Sequence, residues 1–372
     1  MVNICHISTV HKLIDNRVLY KECSSLAKAG FKTHLIINAD REQIINNVRI
    51  IPLSERNSRL YRMTIKQFSA LTKALETDSL IFHLHDPELL PLGLTLKVLN
   101  KKVIFDFHEL VYYQIEDKEY LSPFFKKTFQ KAYRFMEKAG VSQFDAIILA
   151  EDGYRDYFTE HYLDHFKKVA FIRNYPIISV LNRVEPANIK KRKPVVAYLG
   201  DLTYIRGIIH MLKSIALLNG EVEFMLIGKW GSEEIKEQAK REEGWKYTNY
   251  LGFLPPETAY SYLKNADIAL ALVHPVKNHT TSKLVKIFEY MGLGIPTLVS
   301  DFRYWRESFK DYCFYTDPLK PEKIAESIKN ILKEKEYSFK KAEKAREFVL
   351  KNFSWENEEK KLIEVYQNLI KQ

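Results

Sequence analysis

Short apolar runs rich in β-branched residues alternate with helix-length segments along almost the whole chain. In the first half, Val2–Ser8, Thr33–Asn38, Val48–Ile51, Leu80–Leu84, Val103–Phe107, Ala146–Ala150 and Val169–Ile172 predict strands. Between the first two, Arg17–Ala29 predicts a helix that stops at Gly30, where a left-handed cap residue belongs. The pattern lapses after Asn174-Tyr175-Pro176, and Val184–Pro194 is polar and basic. It then restarts, with Val195–Leu199, Glu223–Ile227, Thr248–Leu251, Ile268–Val273 and Thr297–Ser300 as strands of a second sheet. Strand and helix alternation of this kind predicts parallel sheets covered by helices.

The restart divides the chain into residues 1–175, a linker 176–194, residues 195–352 and a closing segment 353–372. Two Rossmann-like α/β domains are expected, in keeping with a length of 372 residues, too great for one typical core. A hydrophobic content of 46% is that of a packed protein. No apolar run reaches the roughly 18–20 residues that span a bilayer. Met1–Val10 reads as a strand carrying Asn3, His6 and Ser8, not as a signal peptide. Cys5, Cys23 and Cys313 are too scattered for a disulfide framework or a zinc site, and a reducing cytoplasm is expected. The net charge of +10 points to nucleic acid, anionic lipid or a phosphorylated small molecule. Without a helix-turn-helix, zinc-finger or RNA-binding signature, nucleic acid is disfavoured.

The most informative stretch is Lys286–Asp301, K-I-F-E-Y-M-G-L-G-I-P-T-L-V-S-D. Lys286 and Glu289, three apart, share one face of a predicted helix. An ammonium suits a phosphate and a carboxylate suits a pair of sugar hydroxyls, so the two suit a nucleotide. Upstream, Tyr198–Ile209 (Y-L-G-D-L-T-Y-I-R-G-I-I) is a strand, a turn holding Gly200 and Thr203, and a helix start, where free N–H groups make an anion site. Ile227–Gly231, I-G-K-W-G, adds a weaker glycine turn with Gly228 and Lys229. In the first half, Phe82–Gly93 puts His85 and Asp86 at a strand-to-helix junction, and F-D-F-H-E at Phe105–Glu109 does the same for His108 and Glu109. Ligands of open α/β sheets bind beyond strand C-termini, so both loops are expected at a cleft. His85, Asp86, His108 and Glu109 also make an acceptable metal set, ranked second. His11, Asp15 and Arg17 follow the first strand, where a dehydrogenase would carry G-x-G-x-x-G; that fingerprint is missing.

These runs together resemble the retaining glycosyltransferases of family 4, which have the GT-B fold. Lys286–Thr297 is similar to that family's K-L-F-E-Y-M-A-A-G-x-P-V donor helix, Ser300–Glu307 to its S-x-F-P-x-W-R-E run, and His6–Glu22 to its H-x-x-x-D-x-R-x-x-x-E opening. H-D-P-E-L and D-F-H-E are likewise family-like, and F-S-W-E opens a last helix that crosses back to the first domain in such proteins. The resemblance implies a nucleotide-sugar donor held by Arg206, Lys286 and Glu289, with Gly200, Thr203, Asn278, Thr281 and Ser282 around it. It implies His108 against the transferred sugar, and His11, Arg17, His85, Asp86 and Glu109 toward the acceptor or cleft. Two places depart from the pattern: Asp201 stands where the first phosphate-gripping Arg belongs, and Thr281 where the first Glu of E-x7-E belongs.

The implied activity is sugar transfer with retention from a uridine or guanosine diphosphate donor to an acceptor hydroxyl, without cofactor or metal, and no D-x-D occurs in the chain. The alternatives are a GT-B sugar-nucleotide epimerase and a catalytically inactive nucleotide-sugar-binding subunit. Ser122–Gly140 places Phe125, Phe129, Ala132 and Met136 on one helical face, amid Lys126, Lys127, Lys131, Arg134 and Lys138. Such a helix suits either the core or an anionic membrane surface. A lipid-linked or surface-polysaccharide acceptor on the inner face of the cell membrane is the family-level expectation.

Overall fold

The computed structural model describes residues 1–13, 15–56, 58–116 and 122–371. The chain forms two compact units, Met1–Asn174 with Trp355–Gln372, and Tyr175–Ser354. In the first, β1 (Asn3–Lys12), β2 (Lys32–Asn38), β3 (Gln43–Ile45), β4 (Val48–Leu53), β5 (Ile81–Leu84), β6 (Lys102–Phe107), β7 (Ala146–Leu149) and β8 (Val169–Phe171) form one sheet in the order β3-β4-β2-β1-β5-β6-β7-β8. All pairings are parallel except β3 with β4, an added edge hairpin that the sequence pattern did not announce. The central strands are buried on both faces, which is why they read as continuous apolar runs.

The helix expected over 17–29 is split. Asn16–Cys23 is a π-type helix and Ser24–Lys28 an α-helix. Asp15 starts it by accepting the backbone N–H groups of Arg17 and Val18 at 2.9 and 2.8 Å. Gly30, at φ +94°, ends it as expected, with Phe31 N–H returning to the Leu26 carbonyl. The closing helix Trp355–Lys371 packs on this element, and the Trp355 indole donates to Ser25 Oγ at 2.9 Å.

The second unit holds β9 (Val195–Leu199), β10 (Glu223–Ile227), β11 (Thr248–Gly252), β12 (Ile268–Ala271), β13 (Thr297–Ser300) and β14 (Phe314–Thr316), in the order β11-β10-β9-β12-β13-β14. Every pairing is parallel, and β14 was not expected. The stretch read as a linker, 176–194, is built into this unit: it carries the helix Ile178–Arg183, and Leu181 and Val184 are buried in the core. Leu181 occupies the space left by Gly292, where a Cβ would lie 2.5 Å from its Cδ1.

Of the two settings open to the amphipathic helix, Pro123–Gln143, the core does not take its phenylalanine stripe. Glu137, Gly140 and Val141 face the core, whereas Phe124, Phe125 and Phe129 are 73%, 54% and 48% exposed and Ala132 is exposed as well. Of the expected stripe, only Met136 packs against the core. The cause is polar and steric. Glu137 accepts hydrogen bonds from the Tyr157 and Tyr162 hydroxyls, and Gly140 admits the Phe144 ring, which a Cβ would approach to 2.7 Å.

Candidate active site

In the second unit the ends of β9 and β10 carry two glycines in backbone conformations that side chains rarely adopt, Gly200 at φ +137° and Gly228 at φ +152°. The turns touch: a Cβ on Gly228 would sit 1.8 Å from the Gly200 carbonyl oxygen. Lys286, in the helix Val285–Gly292, fills the space above Gly200, its Nζ 2.5 Å from where a Cβ would be. That ammonium is buried, lies 4.0 Å over the Tyr198 ring and has no hydrogen-bond partner. Burial first, then the Arg206 charge, pushes its pKa well below the ordinary lysine value.

Arg206 closes the same turn, 3.9 Å from the exposed Asp201 carboxylate. Gly207, at φ +74°, follows it and opens the helix Ile208–Leu217; a Cβ there would meet the Leu272 carbonyl at 2.4 Å. Thr203 Oγ1, in this turn, is buried without a partner. Glu289, one turn along from Lys286, is buried and held by the Tyr260 hydroxyl at 2.6 Å. Tyr290 accepts the Leu199 N–H at 2.8 Å and ties the helix to the end of β9. Lys286, Glu289, Arg206, Gly200 and Thr203 thus belong to one constellation. Tyr198, which opens the Y-L-G-D run, and Tyr260, which lies in no motif read from the sequence, complete it.

The 278–282 segment is turned to local use. Thr281 Oγ1 donates to the Lys277 carbonyl at 2.8 Å, and the Ser282 hydroxyl bonds the Asn278 carbonyl. Both hydroxyls donate to carbonyls of the short helix Lys277–Thr280 and keep their lone pairs for a further partner. Trp305 is fully buried and fixes the Ser282 carbonyl through its indole N–H at 2.8 Å.

The first unit gathers a second constellation. Arg17, buried, makes a bidentate pair with Asp106 on β6, with Nη2 2.9 Å from Oδ2, and its Nε is 3.0 Å from Glu22. Asp106 Oδ2 lies 2.7 Å from His108 Nε2, and His85 Nδ1 is 3.3 Å from the same nitrogen. Behind them, His85 Nε2 meets His6 Nδ1 at 2.8 Å, and the Tyr366 hydroxyl joins His6 to His83, each at 2.9 Å. His6 and His83 are register partners on β1 and β5, and side chains two apart on a strand share a face, so His83 and His85 stack with ring centroids 4.4 Å apart.

Burial opposes charge throughout this cluster, and the outcome depends on partners. It would raise Asp106, but Arg17 and then His108 hold that carboxyl well below its usual range. It raises Glu22 well above the usual value against the pull of Arg17. It takes His85 down to about 4. His11 is the exception. Burial works against it, yet the hydrogen bond and charge of Asp15 at 2.8 Å, with Asp86 beyond, carry it to about 9, so it is a cation at neutral pH.

Asp86 is not free for a ligand: it accepts the backbone N–H groups of Thr9 and Val10 and the Ser8 hydroxyl, spending itself on the end of β1. The metal set weighed from sequence is therefore not the one brought together. Among the described residues, two groups stand close enough to share an ion, His6–Glu22–His83–His85 and His85–Asp106–His108. In the first, five of the six histidine ring nitrogens already face one another, Tyr366 or His108, and the Arg17 cation beside Glu22 opposes a second positive charge. Glu109 is exposed at the end of this loop.

The family model described as glycosyl transferases group 1 matches residues 182–348, and that described as glycosyltransferase family 4 matches residues 16–175. No curated protein matches the chain. Among solved structures it is similar to sucrose-phosphate synthase from Thermosynechococcus elongatus, with 15% identity over 100% of this chain and 99% of that one and a TM-score of 0.79. A glycosyltransferase from Rickettsia africae gives 15% identity over 100% and 99% with a TM-score of 0.72. Anabaena HepE, in complex with UDP and glucose, gives 12% over 99% and 100% with a TM-score of 0.74. The chain belongs to the family 4 glycosyltransferases and has their GT-B fold of two parallel-sheet α/β domains.

Proposed function

We propose that the chain moves a sugar, with retention, from a nucleoside diphosphate sugar to an acceptor hydroxyl, and that the acceptor is a lipid-linked or surface-polysaccharide precursor. The observation that carries this reading is the buried, unbonded ammonium of Lys286 above Gly200. A buried charge with no hydrogen-bonded counter-charge, offset only by Asp201 and Glu289 at longer range, is costly, and a diphosphate supplies a direct one. Lys286, Arg206 and the N-terminus of the helix Ile208–Leu217 stabilise the negative charge that builds on the departing diphosphate, so no metal is required for that task. Glu289 holds ribose hydroxyls, as its oxygen beside Tyr260 has further lone pairs to offer. Anabaena HepE, solved with UDP and glucose, supports a nucleotide sugar as donor.

Glu289→Ala is expected to weaken uridine or guanosine diphosphate binding about ten- to hundredfold, the worth of hydrogen bonds to a charged group. Calorimetric titration measures it, and an unchanged affinity removes Glu289 from the site. A panel of nucleotide sugars then identifies the donor by its hydrolysis. Asp201 beside Arg206 favours a second reading, a subunit that binds nucleotide without turnover. Binding with no hydrolysis of any donor would select it.

The acceptor reading is supported by the helix Pro123–Gln143, whose exposed Phe124, Phe125 and Phe129 cluster with ring centroids 5.8 and 6.3 Å apart amid lysines. Each cation near an anionic surface contributes about 1 kcal/mol. The protein is expected to float with phosphatidylserine-rich vesicles in low salt, and the F124S/F125S/F129S variant to stay behind. Equal flotation of both would end the membrane assignment.

A further inference from the structure

We propose that Asp106 is a positioning residue, which holds His108 in the Nε2–H tautomer and turns its Nδ1 outward as a hydrogen-bond acceptor for a hydroxyl of the transferred sugar. This deepens the reading of the chain as a glycosyltransferase and rests on it for the identity of the ligand.

The argument follows from which atoms can donate. Asp106 is almost fully buried and receives three contacts from the Arg17 guanidinium, at 2.9, 3.1 and 3.2 Å. So paired, it is a carboxylate, and a carboxylate only accepts. His108 Nε2, 2.7 Å from Oδ2, must therefore carry a hydrogen. In a neutral imidazole that leaves the lone pair on Nδ1. The ring cannot turn over without presenting a lone pair or a C–H to a buried carboxylate. Its backbone is pinned too: the Tyr154 hydroxyl donates to the His108 carbonyl at 2.8 Å. The other neighbours are His85, edge-on with centroids 5.4 Å apart, and His11, tilted at 5.4 Å. His108 is less enclosed than the residues behind it, with a side chain 16% exposed against 0% for His85 and Asp106. Nε2 faces Asp106, whereas Nδ1 is not among the sealed, unpartnered atoms of the described residues, so it is the nitrogen open to a ligand.

The test uses the full chain labelled with nitrogen-15 at histidine. In the ligand-free protein, His108 is expected to show a hydrogen-bonded Nε2–H resonance protected from solvent exchange; an Nδ1–H tautomer overturns the proposal whatever the enzyme does. Asp106→Leu leaves Arg17 its pair with Glu22 at 3.0 Å, so the single variant keeps a charge-balanced core and is the one compared. That variant is expected to lose the protected resonance and about ten- to hundredfold in kcat, while its affinity for uridine or guanosine diphosphate stays within about twofold, because one charged hydrogen bond positions the sugar contact and not the nucleotide. If Asp106→Leu matches wild type in kcat, or if it loses as much nucleotide affinity as kcat, Asp106 has no positioning role. Should no nucleotide sugar be turned over by the wild type, the reading of the activity fails, while the tautomer still stands or falls by its spectrum.

Discussion

Lys286→Met lowers turnover of the nucleotide sugar on the order of 100- to 1,000-fold, the usual cost of deleting a charge-stabilising group, and leaves the fold at least as stable. Both halves follow from one observation, a buried ammonium with no hydrogen-bond partner. Burial, and next the Arg206 charge, hold its pKa well below the ordinary value of 10.5. In the window between that lowered value and 10.5 the unfolded chain binds the proton and the folded chain does not, so stability rises with pH across it. Below the window the folded protein carries a buried charge that Asp201 and Glu289 offset only in part. Methionine keeps the stem, drops the charge and removes this slope. A diphosphate reverses the balance by supplying two negative groups, so nucleotide binding within the window is accompanied by proton uptake. Calorimetry in buffers of differing ionisation heat reads that uptake. Its absence, or full activity in Lys286→Met, would show that the ammonium does not meet the phosphates.

The second large effect concerns stability. Arg17→Met leaves Asp106 and Glu22, both fully buried, without their shared cation, and is expected to cost about 3–5 kcal/mol in urea unfolding. The sign of its pH dependence distinguishes this cause from lost packing. In the wild type, Asp106 is held below its usual pKa, so its contribution is complete above the unfolded value and disappears as pH falls through the lowered one. Without Arg17 both carboxyls take up protons more readily, so the deficit against wild type should be larger at pH 8 than at pH 5. A deficit independent of pH would assign the loss to packing alone.

How far the sequence carried depends on the kind of residue. Lys286 and Glu289 were legible because helix geometry puts residues three apart on one face whatever surrounds them. Gly200 and Arg206 were legible from a strand, a turn and a helix start within one short run. His85 and His108 could be placed at strand ends, but not their use. Asp106 lies two residues from His108 in a strand that reads as apolar, and only the pairing of β6 with β5, with Arg17 arriving from another element, makes it the centre of the cluster. His83 carried a signal, since polar residues alternating in F-H-L-H point to one face. Tyr366 carried none, because a tyrosine on the apolar stripe of a helix looks the same whether or not its hydroxyl has a partner.

The pattern of the helix Pro123–Gln143 left open whether its phenylalanines face the core or a surface. In the structure Glu137 is buried with two tyrosine hydroxyls as donors, and the three rings are exposed. By itself, then, the sequence determined the elements, their grouping into two α/β halves and the short-range constellation of the second half, since each depends on spacing along one stretch of chain. The tertiary structure alone decided which polar groups are buried together, and therefore which carboxyls and imidazoles are charged. Those energies are set by the desolvation and partners that distant segments provide, and neither is written in local spacing.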